Sequence, residues 1–342
     1  MSSPKSKLLH LLGYVANKLP LASLLGLSQQ RFFAPFYHLI DTETPAHIKH
    51  LYAVRSPQIF EQDLDYLLKK FSPISLEQLI THKTNGTPLP KNAFWLSFDD
   101  GLRQCYDIIK PILERKGIPA TFFINSAFVD NKALMFRYKA SLLINFLEKE
   151  ANVDKRIAPY FQKRNIPYTT LKPSLLKINW QHQELLDELA IHSGLDFSAF
   201  LQAYQPYMTS TQIQEMLDAG FTIGSHSVDH PTYYKISETN QLSQTINSQQ
   251  YLNEKFELDY KVFAFPFSDF KVKNSFFKKI LNEENFNLTF GGAGLKKELI
   301  ARNIQRFPME TQDIPSARRL VQTEYLYYIL KRLFGKHIRR RD

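Results

Sequence analysis

The chain has 342 residues, 44% hydrophobic and 13% aromatic, enough to bury a core, and this excludes disorder as its main state. Lys and Arg total 43 against 33 Asp and Glu, and the resulting +10 leaves nucleic acid, a membrane surface or an anionic substrate open as partners. The single cysteine, Cys105, excludes an intramolecular disulfide and any all-cysteine zinc site.

The N-terminal apolar run is interrupted by His10, Asn17, Lys18 and Pro20. It is too broken to span a bilayer, and no small-residue cleavage site follows it. It reads as an amphipathic helix from about Lys5 to Lys18, packed on the domain or lying on a membrane surface. Phe32 to Ile40 is an aromatic-rich strand, and Ser56 to Phe71 carries a helical apolar stripe. Ala93 to Phe98 is a buried strand, Leu102 to Lys116 a helix stopped by Gly117, and Ala120 to Asn125 the next strand. From about 131 to 208 the rhythm breaks into a helical insertion, with helices at Ala133 to Lys149 and Leu185 to Ile191. Arg137 and Lys139, near its start, read as a solvated charged face, or as contacts for phosphate or an acidic sugar. Then come a helix capped by Ser210 or Thr211 and stopped by Gly220, a strand at Phe221 to Gly224, and a helix at Gln241 to Phe256. A strand at Lys261 to Phe267, a helix at Asn274 to Asn282, and short strands at Asn287 to Phe290 and Asn303 to Phe307 complete the pattern. Alternating strands and helices imply a parallel sheet, and seven or eight such units would close a barrel with its chemistry at the C-terminal strand ends.

Two clusters follow predicted strands. In Ser97-Phe98-Asp99-Asp100-Gly101, adjacent carboxylates are costly unless a cation neutralises them, and Gly101 permits a tight turn. In His226-Ser227-Val228-Asp229-His230-Pro231, two histidines at i and i+4 converge if the segment takes a helical turn. An ordinary Asp-Asp-Gly turn and two packing histidines are the plain alternatives. One Asp and two His together make a three-ligand metal site with positions open for water and substrate.

SFDDG, a helix, GIPATFFIN and then GFTIGSHSVDHP resemble the polysaccharide deacetylase family with the NodB homology domain, carbohydrate esterase family 4. The resemblance runs over roughly residues 32 to 308, interrupted by the insertion. It implies an α/β fold, a distorted (β/α) barrel that is usually seven-stranded, and metal-dependent removal of N-acetyl groups from amino sugars. It further implies Asp99 as the catalytic base, and Asp100, His226 and His230 as ligands of a divalent metal, zinc first among the candidates.

Two family features are missing. The third motif carries an Arg two residues before a Pro, and here that position is Ala264. Arg306, ending the last predicted strand, is the candidate substitute, against a surface or structural role. The late Leu-x-His motif that supplies the general acid is also absent. His38, which resembles the His of the family's Tyr-His pair, and Asp269, if neighbours raise its carboxyl, are the candidate acids, with water a third. Trp95 reads as packing, and Trp180 and Tyr233 as candidates to stack on a sugar.

Residues 1–30 form an N-terminal amphipathic extension, 31–310 the deacetylase barrel with its insertion, and 311–342 a basic C-terminal helix or tail. The expected function is a metal-dependent hydrolase removing N-acetyl groups from an amino-sugar glycan or a lipid-linked glycan precursor. A deformylase of a lipid-linked amino sugar and a catalytically degenerate metal- or carbohydrate-binding protein are the alternatives. An iron oxygenase shares the two His and one carboxylate, but no oxygenase cofactor site accompanies them. Residues 1–40 carry +4 and residues 331–342 carry +5, leaving +1 for the 290 between. That split argues against nucleic acid and for an anionic membrane surface, with the expected location cytoplasmic, peripheral on the inner face of the membrane.

Overall fold

The computed structural model describes residues 4–311 and 316–341. Residues 1–3, 312–315 and 342 lie outside the described residues. With them go the first residues of the predicted extension, the stretch just past the predicted boundary at 310, and the last residue of the tail, Asp342.

Apolar runs too short for helices, each followed by an amphipathic segment, form eight parallel strand segments. They are β1 (Pro35–Tyr37), β2 (Leu96–Phe98), β3 (Ala120–Ile124), β4 (Thr222–Ser225), β5 (Val262–Ala264), β6 (Leu288–Gly291), β7 (Asn303–Gln305) and β8 (Phe307–Pro308). Their order in the sheet is β7-β6-β5-β4-β3-β2-β1-β8. The two ends of that order are separated in sequence by Arg306 alone. Arg306 N–H donates to Gly291 O, and the next N–H, of Phe307, donates to Ala34 O. The run 303–308 thus pairs with β6 through its first half and with β1 through its second, closing the barrel. The implied (β/α) barrel is the fold, with its last strand split into two segments.

Alternate strand residues serve two cores. Trp95, just before β2, and Phe123, Val262, Ala264, Leu288, Phe290 and Ile304, from strands around the barrel, fill its interior, with Trp95 stacked on Phe290 at 4.3 Å. Phe98, Phe122 and Ile223 instead face outer helices, among them Pro57–Lys70, Ser210–Asp218 and Glu238–Phe256. A Cβ on Gly224 would lie 2.5 Å from the Phe123 ring, so the interior has no room for a side chain there.

The insertion lies between β3 and β4. It contains the two expected helices, at Phe136–Leu147 and Glu184–Ser193, and three more at Val153–Gln162, Leu171–Lys177 and Phe197–Tyr204. These share a separate apolar cluster. The helix after the insertion is capped by Thr209, whose hydroxyl accepts from Gln212 N, rather than by Ser210 or Thr211. The helix expected from Leu102 opens with a π-helical turn at Cys105–Ile109 and ends, as read, at Gly117 with φ 61°.

At the other end, helix Ala317–Leu333 packs under the N-terminal helices Pro4–Ala16 and Leu21–Ser28. Gln322 Nε2 donates to Leu19 O at 2.7 Å and Arg319 Nη2 to His10 O at 3.2 Å. The predicted basic tail does not run free. Ile338–Arg339 pairs in parallel with Lys297–Glu298, because Arg341 and Arg339 reach two carboxylates of the barrel, Asp269 and Glu298.

Candidate active site

The first carboxylates emerge where β2 ends. Asp99 N–H still donates to Tyr37 O, and the chain then turns through two left-handed residues, Asp100 at φ 75° and Gly101 at φ 65°. A Cβ on Gly101 would sit 3.2 Å from Ile124, and a non-glycine residue in the left-handed region, as at Asp100, stores strain of the kind found at functional sites. The turn sends the two carboxylates to different partners.

Asp99 meets Arg306. Nη1 donates to Oδ1 at 2.8 Å and Nη2 to Oδ2 at 2.9 Å, a bidentate fork. Nη1 also donates to Ser97 Oγ at 3.0 Å. The guanidinium is buried, with the rings of Phe36 at 4.5 Å and Phe123 at 5.1 Å from its centre. Burial opposes ionisation of Asp99, but Arg306 overcomes it and holds the carboxyl below its usual range. Arg306, the candidate substitute, is thus brought to Asp99.

Asp100 faces the histidines that follow β4. The histidine segment is not a helical turn: Ser227 at φ 71° and His230 at φ 65° make a loop, closed by His230 N–H donating to Ser227 Oγ at 3.0 Å. Pro231 disfavours a helical conformation at His230, which explains the departure. His226 Nδ1 donates to Ala264 O at 2.8 Å, so its Nε2 presents a lone pair. Asp100 Oδ1 is buried without a hydrogen-bond partner, 3.5 Å from His226 Nε2 and 3.2 Å from His230 Nε2. Among the described residues these three form the group of His, Cys, Asp or Glu whose donor atoms lie within 4.8 Å of one another. Burial pushes the His226 imidazole down to about 4, against the pull of Asp99. Burial also opposes ionisation of Asp100, yet His230, His38 and His226 hold its carboxyl far below the usual range. An orphaned carboxylate oxygen converging on two imidazole nitrogens is a donor set that fits a divalent cation.

The insertion reaches this centre. Tyr138 OH donates to Asp100 Oδ2 at 2.8 Å, and Tyr52 OH lies 3.4 Å from Tyr138 OH. His38, just past β1, stacks on Tyr52 at 4.8 Å, and its Nδ1 is 2.6 Å from Glu310 Oε2. Glu310 Oε1 also accepts the N–H groups of His38 and Leu39. Burial works against a charged His38, but Glu310, with Asp100 and Asp99, raises its pKa to about 9.

A cavity of about 300 Å³ opens on these groups and is lined by His38, Tyr52, Asp99, Asp100, Arg137, His226, His230, Phe267 and Arg306 among others. A larger cleft of about 490 Å³ lies against Lys83, Lys297 and Arg332, and contains none of the carboxylate and histidine residues of the centre.

Asp269 is not brought to the centre. It is fully buried outside the cavity lining, bonded to Arg341, Gln305 and Asn303. Burial alone would raise its carboxyl, but Arg341 and Arg339 hold it below the usual range, so it has no proton to donate and ties down the C-terminal strand. Tyr233 is fully buried with its OH on Thr245, and Trp180 donates to Asp229 outside the cavity lining, so neither stacks on a ligand there. Tyr52, Tyr138, Glu310 and Phe267 were not singled out from sequence. Glu310 carried a usable signal, being a carboxylate two residues past the last strand. The approach of Tyr138 depends on how the insertion packs, which no local pattern encodes.

A closed parallel barrel with two adjacent carboxylates and a His-x-x-x-His pair at the C-terminal strand ends defines the class. The polysaccharide deacetylase family matches residues 86–287, and the chain belongs to that family. Poly-beta-1,6-N-acetyl-D-glucosamine N-deacetylase of Escherichia coli K12 is 30% identical over 102 residues, which is 30% of this chain and 15% of that protein. Among solved structures, the Streptococcus pyogenes deacetylase PplD in complex with acetate superposes with TM-score 0.55 at 16% identity, over 86% of this chain and 97% of that one. IcaB from Ammonifex degensii gives TM-score 0.53 at 17% identity, over 85% and 97%. At these identities the structural likeness bears on the fold.

Removing Arg306 would leave a buried carboxylate without its partner. Arg306→Met is expected to lower stability by about 3–5 kcal/mol in chemical denaturation. Arg306→Lys, which keeps the charge and loses the fork, is expected to recover only part of this. Full stability in Arg306→Met would show that the pair is not what holds the barrel mouth.

Proposed function

We propose that the protein is a metal-dependent hydrolase that removes the N-acetyl group of an amino sugar. The observation that carries this reading is the division of labour between two adjacent carboxylates, one among imidazoles and one clamped by an arginine. Membership of the deacetylase family and the name of the E. coli relative support it.

Asp100, His226 and His230 would hold the cation, and two imidazoles with one carboxylate suit zinc. When bound, such an ion polarises an acyl oxygen and lowers the pKa of water. Asp99 takes the proton from the attacking water, and Arg306 keeps its carboxylate ionised and oriented for that step. Tyr138 fixes the rotamer of Asp100 through Oδ2. As the carbon–nitrogen bond breaks, the leaving amine needs a proton. His38 donates it from Nε2, with Glu310 holding Nδ1 and keeping the ring charged. The products are acetate and the free amine.

Asp99→Asn is expected to cut acetate release by about 10²–10⁴-fold with metal content retained. His226→Ala and His230→Ala are expected to lower bound metal in elemental analysis. Metal stoichiometry unchanged in both would remove the ligand assignment, and formate rather than acetate as the released acid would replace the reading with a deformylase.

The groups facing His38 are Glu310, Asp99 and Asp100, with the Tyr52 ring against it. With a pKa of about 9 the imidazolium is present at neutral pH and is lost as pH rises through that value. Turnover should therefore fall on the alkaline side near pH 9. In Glu310→Gln the raising carboxylate is gone, burial dominates, and the fall should move to lower pH. An alkaline limb unmoved in both Glu310→Gln and His38→Gln would exclude His38 as the acid.

We further propose that the N-terminal helix docks on an anionic membrane surface. No single helix among the described residues is long and apolar enough to cross a membrane. Gly13 and Ala16 of helix Pro4–Ala16 are buried, with Arg319 packed against Gly13, whereas Leu8, Leu11, Tyr14 and Val15 are exposed, Leu11 at 64%. Its solvent face is therefore apolar, with Lys18 beside it. Leu333 and Phe334 are exposed near Arg332 and Lys336. Apolar insertion flanked by cations matches an anionic bilayer interface. The protein should sediment with phosphatidylserine vesicles at low salt and be released at high salt. Binding that is absent, or equal after Leu11→Glu with Val15→Glu, would overturn the docking.

A further inference from the structure

The ionic pairs at the cavity leave one group over. Asp99 is matched by Arg306 and His38 by Glu310, and Asp100 belongs with His226 and His230 to the group that fits a cation. Arg137 also lines the cavity, and among the described residues no Asp or Glu pairs with it. Its Nη1 donates to Leu176 O at 2.5 Å, and its guanidinium centre lies 5.7 Å from the ring of Phe267, a half-exposed side chain that also lines the cavity. One of its five N–H donors is thus used by a neutral carbonyl. Burial depresses its pKa, with no neighbouring carboxylate to offset the effect. Lys139, two residues on, is by contrast neutralised by Asp187 at 2.7 Å. A part-buried guanidinium without a counter-ion is costly, and its planar fork is the shape that takes phosphate or carboxylate.

We infer that Arg137 binds an anionic group carried by the acetylated sugar, a phosphate or a carboxylate, and so selects a charged amino sugar over a neutral polymer. This rests on the deacetylase reading for the position of the acetamide, but not for the anion contact itself. The cavity volume is at the small end for ligand sites, which suits one sugar with a charged substituent better than a long neutral strand.

The test compares kcat/KM for acetate release from N-acetylglucosamine 1-phosphate, from an N-acetylglucosaminyl-glucuronate disaccharide, and from neutral di-N-acetylchitobiose, using the metal-loaded full chain. The wild type should favour a charged substrate. Arg137→Gln should reduce the charged-to-neutral ratio by about 30-fold, and Arg137→Lys should restore part of it. The sugar whose ratio falls more identifies phosphate or carboxylate as the source. Calorimetric binding of N-acetylglucosamine 1-phosphate and of the disaccharide runs alongside. If none of the sugars releases acetate, the deacetylase reading fails, and the calorimetry still decides. Binding weakened about 30-fold in Arg137→Gln supports the anion site. An unchanged ratio, or equal binding by wild type and both variants, overturns it.

Discussion

The bidentate contact between Arg306 and Asp99 is the constraint on which the rest of the site depends. Arg306 is the residue at which the last strand changes hydrogen-bond partner, from β6 to β1. The residue that closes the barrel therefore also delivers the guanidinium to its mouth. A buried arginine carries a large desolvation cost, and here three aromatic rings and two carboxylate bonds offset it. Because the fork takes both oxygens of Asp99, that carboxylate is fixed as an ion, and the neighbouring Asp100 must find its compensation elsewhere.

That second compensation determines the loop geometry. Two adjacent carboxylates repel unless their side chains diverge. The left-handed turn at Asp100 and Gly101 achieves the divergence, placing Asp100 between the two imidazoles and the Tyr138 hydroxyl. His226 is oriented in turn by the carbonyl of Ala264, the position where the family's pattern has an arginine. The guanidinium that meets the first carboxylate of the pair comes instead from Arg306, at the break in the last strand.

The alternation of short apolar runs with amphipathic segments made the barrel legible, because a parallel strand buried on both faces can hardly be polar. The carboxylate and histidine clusters were legible for the same reason: polar residues just past such runs fall on one rim. The matched family segment, 86–287, contains neither β1 nor the final strand, and so none of His38, Arg306 or Glu310. Those contacts span more than 200 residues of sequence and arise only on barrel closure. Asp269 reads as a candidate acid if its neighbours raise it, but its partners, Arg339 and Arg341, lie about 70 residues away in sequence and hold it ionised. A run of cations at a chain end says nothing of which buried acids it will fold back to reach. Tyr138 and Arg137 come from one insertion helix, where a residue's approach to the barrel depends on how five helices pack together.

Net charge and local charge turn out to answer different questions. The excess of basic residues at the two ends shrinks once Arg339 and Arg341 are matched with Asp269 and Glu298, so the tail contributes less to any surface field than its composition suggests. The nearly neutral middle, by contrast, can still hold a charge without a matching partner, since neutrality summed over 290 residues does not require pairing at each cavity. At the cavity mouth the balance is set by which guanidinium has met a carboxylate and which has not. Arg306, fully buried, and Arg137, part-buried, both lie beside aromatic rings, and only the first has met a carboxylate. The low dielectric that makes the first a rigid clamp makes the second a site that a ligand's own charge must complete.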